Sequence, residues 1–269
     1  FVYASGFFNT IGGQSLNYLA RLNMTDGGAD PAWNPDPEWM ASTIHPFGEQ
    51  VYVGGDFAAI GGQSNAFLAR VSAVTGQADT NWVPRPDGPI LALALLGDHV
   101  YAGGLYAQIG GQARSCIARL STDTAAADPA WNPRAGDPVQ ALALDNGGVI
   151  LGGQFTNVGP VEAVALARVT TASGAVDPAF PRLAFCAGQV SALARQPDGK
   201  LVLGGAFDYV NGVHRHCLAR LHSDYTLDTA WNPKPNGVIE TLAVNARHVY
   251  AGGAFTAIGG QPLRHLARL

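Results

Sequence analysis

The feature that most constrains this chain is that it repeats itself. "VYVGGDFAAIGGQ" at residues 51–63 returns as "VYAGGLYAQIGGQ" from Val100 and "VYAGGAFTAIGGQ" from Val249. The aromatic after each glycine pair falls at Phe8, Phe57, Tyr106, Phe155, Phe207 and Phe255, with steps of 49, 49, 49, 52 and 48 residues. A period of this size marks solenoids and propellers, in which one supersecondary unit is copied and stacked. A second word, Leu/Ile-Ala-Arg, keeps step at Arg21, Arg70, Arg119, Arg168, Arg220 and Arg268. A third, Asp-x-x-Trp/Phe, appears five times, at Asp30/Trp33, Asp79/Trp82, Asp128/Trp131, Asp177/Phe180 and Asp228/Trp231.

Each unit reads as four short extended segments separated by turn chemistry. In unit three the first is "ILALALLG"; in unit five "PDGK" (197–200) leads to the second, "LVLGGAF", then "HCLARLH", and last a "DTAWNP" segment. Proline in the last segment of most units places it at a sheet edge. The sequence therefore predicts an all-β fold: a β-propeller, six-bladed, with four-stranded antiparallel blades of about 49 residues. One domain over 1–269 is expected, with repeat units at about 1–50, 51–99, 100–148, 149–200, 201–248 and 249–269. The first strand of unit one and the fourth of unit six are missing, so the last and first blades are incomplete and flanking sequence would close the ring. With no initiator Met the chain reads as a processed or excised piece.

Composition excludes some functions. Charged residues are 13% of the chain and the net charge is -4, which leaves no basic footprint for nucleic acid. No apolar run is long enough for a transmembrane helix. The three cysteines, Cys116, Cys186 and Cys217, fit no zinc or disulfide framework and read as small buried hydrophobes.

From 195 to 212, "RQPDGKLVLGGAFDYVNG", followed by "CLARL" and "LDTAWNP", the sequence resembles the bacterial delta-sixty repeats, whose consensus is close to "PDGKILVGGxF…NG…IARLN…GSLDxxFNP". All six units fit it. The resemblance implies a β-propeller repeat in an exported, often multidomain bacterial protein, extracellular or at the cell surface, and it carries no catalytic residues. This chain departs from it in using Trp where Phe is commoner and "GGQ" for "NGQ".

The most regular charges are expected to be structural. Arg21/Asp30, Arg70/Asp79, Arg119/Asp128 and Arg168/Asp177 are nine residues apart and Arg220/Asp228 eight, which suits ion pairs clipping the third segment to the fourth. A catalytic role would have to be exercised five times over. On this reading Arg119→Ala costs roughly 3 kcal/mol, the scale of a broken buried pair. The glycine words are not phosphate loops, since they lead into strands and no Lys follows. Trp33, Trp82, Trp131 and Trp231 read as packing residues, with a sugar-stacking platform as the other reading.

Function is sought where the repeat departs from itself. The candidate ligand or partner contacts are Trp39 and His45 in "WMASTIHPFGEQ", Arg182 in the unit-four insertion beside Cys186, and His214, Arg215 and His216 in "NGVHRHC". Two histidines at i, i+2 share a strand face, but no third ligand is visible and no metal is expected. No cofactor, triad or carboxylate pair can be argued; Glu240 is a lone acid and Asn23-Met24-Thr25 a single glycosylation sequon. The expected function is a non-catalytic extracellular or cell-surface scaffold, binding a protein or glycan partner or self-assembling. A lectin-like carbohydrate binder and an enzyme with a site at the central channel are the alternatives.

Overall fold

The computed structural model describes residues 1–186 and 188–269, with Cys186 through its backbone alone. Every element is β; there are no helices among the described residues. Two compact units emerge, Phe1–Asn132 and Pro133–Leu269. The first holds two two-stranded sheets (Val2–Ser5, Leu19–Leu22; Gln108–Ile109, Gln112–Ala113) and two antiparallel three-stranded ones (Ala41–Phe47, Gln50–Gly55, Leu68–Ser72; Ile90–Leu96, His99–Gly104, Ile117–Ser121). The second holds three more of the same kind (Val139–Asp145, Gly148–Gly153, Leu166–Thr170; Gln189–Arg195, Leu201–Ala206, Leu218–Leu221; Ile239–Val244, Val249–Gly253, Leu266–Arg268), with two small sheets of two-residue strands beside them (Asn157–Val158, Val161–Glu162; Phe185–Cys186, Tyr209–Val210, Val213–His214). The hydrogen-bonded sheet thus starts one strand earlier than the cut at residue 51.

The fourth segment departs from the expectation of a fourth strand. In units one to five it touches the third strand through one isolated bridge, at Leu22↔Ala29, Val71↔Ala78, Leu120↔Ala127, Val169↔Val176 and Leu221↔Leu227. Beyond the bridge the Asp side chain caps its own turn, as Asp79 Oδ1 does for the Asn81 N–H at 2.8 Å. Proline follows the Asp at Pro31, Pro129 and Pro178, removing the donor a longer ladder needs.

The glycine pair is a packing device. A Cβ on Gly55 would overlap the Met40 carbonyl, where the first strand bulges between Ala41 and Thr43. A Cβ on Gly54 would lie 2.7 Å from Ile90 Cγ2 of the next sheet, so this glycine lets neighbouring sheets approach closely. The same bulge recurs opposite the glycine pair in five of the six three-stranded sheets.

A second device fixes the third strand. The residue before it has positive φ in every unit, at Tyr18, Phe67, Cys116, Ala165, Cys217 and His265, although none is glycine. In unit two the Phe67 N–H donates to Phe57 O (2.8 Å) while Phe67 O accepts from the Gly55 N–H (3.0 Å). Six repeats of these paired bonds hold the left-handed geometry against its steric cost. Between successive sheets within each compact unit lie apolar clusters: Trp33, Val51, Val53 and Phe57 in one, Tyr52, Trp82, Leu93 and Tyr106 in the next, and Phe185, Leu203 and Phe207 in the second compact unit. Cys116 and Cys217 are buried among such residues.

Candidate functional site

The repeated charges are occupied by the fold. Arg21 and Arg70 each lie 2.5 Å from Asp30 and Asp79, Arg220 lies 2.8 Å from Asp228, and Arg119 and Arg168 pair with Asp128 and Asp177. The arginine also reaches the next unit: Arg21 donates to Ala73 O and Arg70 to Thr122 O. Beside it the tryptophan indole does the same, Trp33 Nε1 to Ser72 O at 2.9 Å and Trp82 Nε1 to Ser121 O at 3.0 Å. The guanidinium stands over the indole (5.6 Å for Arg70 on Trp82), and a tyrosine from the second strand meets the indole edge-on (Tyr52–Trp82, 5.1 Å). In units one to three Arg, Asp, Trp and Tyr together form a clasp, and unit five keeps Arg220, Asp228 and Trp231 with Val202 in the tyrosine's place. The arginine hydrogen bond holds Asp128 below the usual carboxylate range; for Asp79 burial pulls upward, and its backbone and Arg70 hydrogen bonds outweigh it.

Trp33, Trp82 and Trp131 are completely buried, so the sugar-platform reading of these residues is overturned: no indole face is open to a ring. Trp231 is half-buried, with Arg220 at 4.8 Å from its ring.

Unit four closes its clasp differently. Ile150 and Phe180 replace the tyrosine and tryptophan, and Arg168 turns to Asp145, its Nε 2.8 Å from Oδ2 and its Nη2 2.8 Å from Oδ1. Tyr225 donates its hydroxyl to the same carboxylate, whose side chain is 2% exposed. Burial raises the Asp145 pKa, but the bonds from Arg168 and Tyr225 more than reverse this, and the net shift is downward. Tyr225, buried and bonded to a carboxylate, is pushed up to about 12. Both residues escaped the sequence reading; the signal was an acid at 145 where unit three has Leu96.

The residues singled out for breaking the pattern divide. Arg215 is 4% exposed and donates to Thr229 O (3.0 Å) and His214 O (2.8 Å), so its assignment as a ligand contact is corrected to a structural one. Unit three does the same with Arg114, bonded to Asp128 O at 2.7 Å. His216 Nδ1 lies 2.7 Å from Asp208 Oδ1, and the exposed His214 ring stacks near it at 6.4 Å and meets Tyr209 at 5.2 Å. No group of three or more His, Cys, Asp or Glu is placed to hold a metal among the described residues. His45 lies half-buried on its strand opposite Tyr52, and burial holds its imidazole below the usual range. Arg182 is exposed beside a cavity of about 330 Å³. Cys186 has its side chain outside the described residues.

Trp39 is different. It is 46% exposed and packs against Phe7 (5.8 Å) and Tyr18 (5.7 Å), while Phe7 is 76% exposed and lies 5.9 Å from Tyr18. A pocket of about 170 Å³ lined by Phe7, Phe8, Asn9 and Tyr18 adjoins them. Units three, five and six carry Gly88, Gly188 and Gly237 where Trp39 stands, and units two to six carry Asp56, Leu105, Gln154, Ala206 and Ala254 where Phe7 stands. Phe7 and Tyr18 were not singled out in the sequence; comparing the units column by column reveals both.

Residues 2–32, 145–180 and 196–230 match a family model described as a domain of unknown function (DUF5122) beta-propeller. No curated protein matches the chain. Among solved structures, the computationally designed Ika8 protein is similar at a TM-score of 0.55 and 16% identity, over 91% of this chain and 67% of that one. The extracellular domain of a putative hybrid two component system from B. thetaiotaomicron is similar at 0.54 and 16%, over 95% of this chain; the chain spans only 30% of that domain. The all-β sheets and the matched repeats make this chain a β-propeller repeat protein.

Proposed function

We propose that the chain is a non-catalytic binding scaffold, a six-bladed propeller of the delta-sixty type working outside the cell or at its surface. The observation that carries this is the aromatic cluster Phe7, Tyr18 and Trp39. The residues shared by the units are committed to clasps, bulges and core, so they hold the fold and leave nothing over for chemistry. Phe7 and Trp39 have no such duty: their rings are exposed and packed together on the half-buried Tyr18, Trp39 where the other units with a matching position carry glycine or Asp137, and Phe7 where no other unit has an aromatic. Clustered exposed aromatics mark binding surfaces, and rigid rings give contact area at small entropic cost. A protein or glycan partner fits this surface.

The double variant Phe7→Gln/Trp39→Asp copies unit four (Gln154, Asp137) and tests the reading. Wild type and variant are applied to an oligosaccharide array, and both, each carrying a photo-crosslinking residue at position 9 in place of the exposed Asn9, are used on intact cells of the producing organism. Binding or crosslinking that requires Trp39 is expected in one arm. Signals that the double variant reproduces in full, or none in either arm, would refute the proposal.

A further inference from the structure

One position per unit, eight residues after the aromatic that follows the glycine pair, decides whether a slot beside the third strand is filled. Its occupants are Leu16, Asn65, Arg114, Ala163, Arg215 and Leu263. In units three and five the arginines are 4% exposed and take the same seat. Arg114 donates to Ala113 O and Asp128 O, both at 2.7 Å; Arg215 donates to His214 O at 2.8 Å and Thr229 O at 3.0 Å, and lies 3.4 Å from Asp228 O. The seat is thus a set of backbone carbonyls arranged around a guanidinium.

In unit four the occupant is Ala163, and the slot is the cavity of about 330 Å³. The residues carrying the equivalent carbonyls, Glu162, Asp177 and Pro178, all line it, with Phe180 and Leu166 supplying apolar wall. Glu162 also brings an acid where units three and five have Ala113 and His214. Of the charges on the lining, Arg168 and Asp177 are paired with each other, and Glu162 and Arg182 are both exposed at the rim, so the carbonyls are what the seat itself offers a guanidinium. The corresponding cavity in unit two, about 450 Å³, has Asn65 with an unpartnered Nδ2 and Arg85 on its lining; this excess of donors suits an acceptor instead.

We infer that the unit-four slot binds an arginine side chain presented by a partner protein, the guanidinium taking the seat that Arg114 and Arg215 fill from within the chain. A planar fork of donors meeting several carbonyls discriminates against lysine, whose ammonium cannot span them. The site is independent of the aromatic cluster, which lies in the other compact unit.

The test titrates the intact protein with N-acetyl-arginine methylamide, and with the citrulline analogue as a neutral isostere, following backbone amide shifts by NMR. Saturable shifts centred on Ala163, Asp177 and Phe180 are expected, with the citrulline analogue weaker by about tenfold or more, the scale of a charge-assisted hydrogen bond. Ala163→Arg fills the slot from within and must abolish the shifts. Ala163→Leu, which copies Leu16, must abolish them too and guards against failure of the arginine variant to fold. An absence of saturable shifts, equal binding of citrulline, or binding that survives either substitution would overturn the inference.

Discussion

Removing the arginine of one clasp is the sharpest perturbation of this fold. Arg70 is 16% exposed at its side chain; its Nη2 and Nε lie 2.5 and 3.1 Å from Asp79 Oδ2, it donates to Thr122 O of the next unit, and it stands over Trp82. Arg70→Ala leaves Asp79 without its cation and Thr122 O without its donor. Breaking a buried pair costs about 3–5 kcal/mol. Asp79 is a quarter exposed and regains water, which reduces its share, while the lost carbonyl bond and cation–π contact add about 1 kcal/mol each. The expected net loss is roughly 3 kcal/mol, a fall in melting temperature of about 5 °C for a chain of this length. Arg70→Lys keeps the charge but cannot hold both Asp79 and Thr122 O, and should recover less than half. A double-mutant cycle with Asp79→Ala should give a coupling of about 1–2 kcal/mol, because Arg70 keeps its second partner when Asp79 is gone. If Arg70→Ala melts within about 1 °C of wild type, the clasp is no more than a surface ion pair, and the reasoning fails.

Other consequences are equally direct. Tyr225 donates to the Asp145 carboxylate and its own pKa is raised to about 12, so its contribution to stability is complete below its unfolded value near 10 and is lost as pH rises through about 12. Asp145 is shifted the other way, so its contribution is present above the ordinary carboxylate value of 3.8 and is lost as pH falls through its lower folded value. Tyr225→Phe should therefore flatten the alkaline limb of a melting-temperature profile; an unchanged limb would disprove the contact. Trp82→Phe copies Phe180 of unit four but strands Ser121 O and opens space in a filled core, and a loss of about 2–3 kcal/mol is expected in denaturant titration. Gly55→Ala drives a methyl into the Met40 carbonyl and should reduce the yield of folded protein or cost several kcal/mol; a wild-type melting curve would contradict the bulge geometry. Cys217 is buried and burial pushes its thiol up, so a thiol reagent should label it only on unfolding.

Period, strand chemistry and ion-pair spacing were legible in the sequence because each is written several times over. A residue that recurs at one place in five or six units, such as the arginine of the clasp, must answer to geometry that recurs. The fourth strand was over-read: four extended segments per unit suggested a four-stranded sheet, but the proline and the Asp turn cap reduce the last to one bridge. Arg215 was misjudged because a departure between neighbouring units looked like novelty, whereas unit three fills the same slot with Arg114. Asp145 and Tyr225 were missed because their partnership spans 80 residues, a contact that no local pattern encodes. Phe7 and Tyr18 went unnoticed because an aromatic in an apolar word reads as core, although Phe7 is 76% exposed and Tyr18 only half-buried.

The central claim is that shared residues hold the fold while Phe7 and Trp39 of unit one are free of that duty, and one paired measurement addresses it. Melting curves are recorded side by side for wild type, Arg70→Ala and Phe7→Gln/Trp39→Asp. A drop of about 5 °C for Arg70→Ala and a change within about 1 °C for the double variant is the predicted result. A double variant that melts as low as Arg70→Ala would make the cluster part of the core and contradict the account.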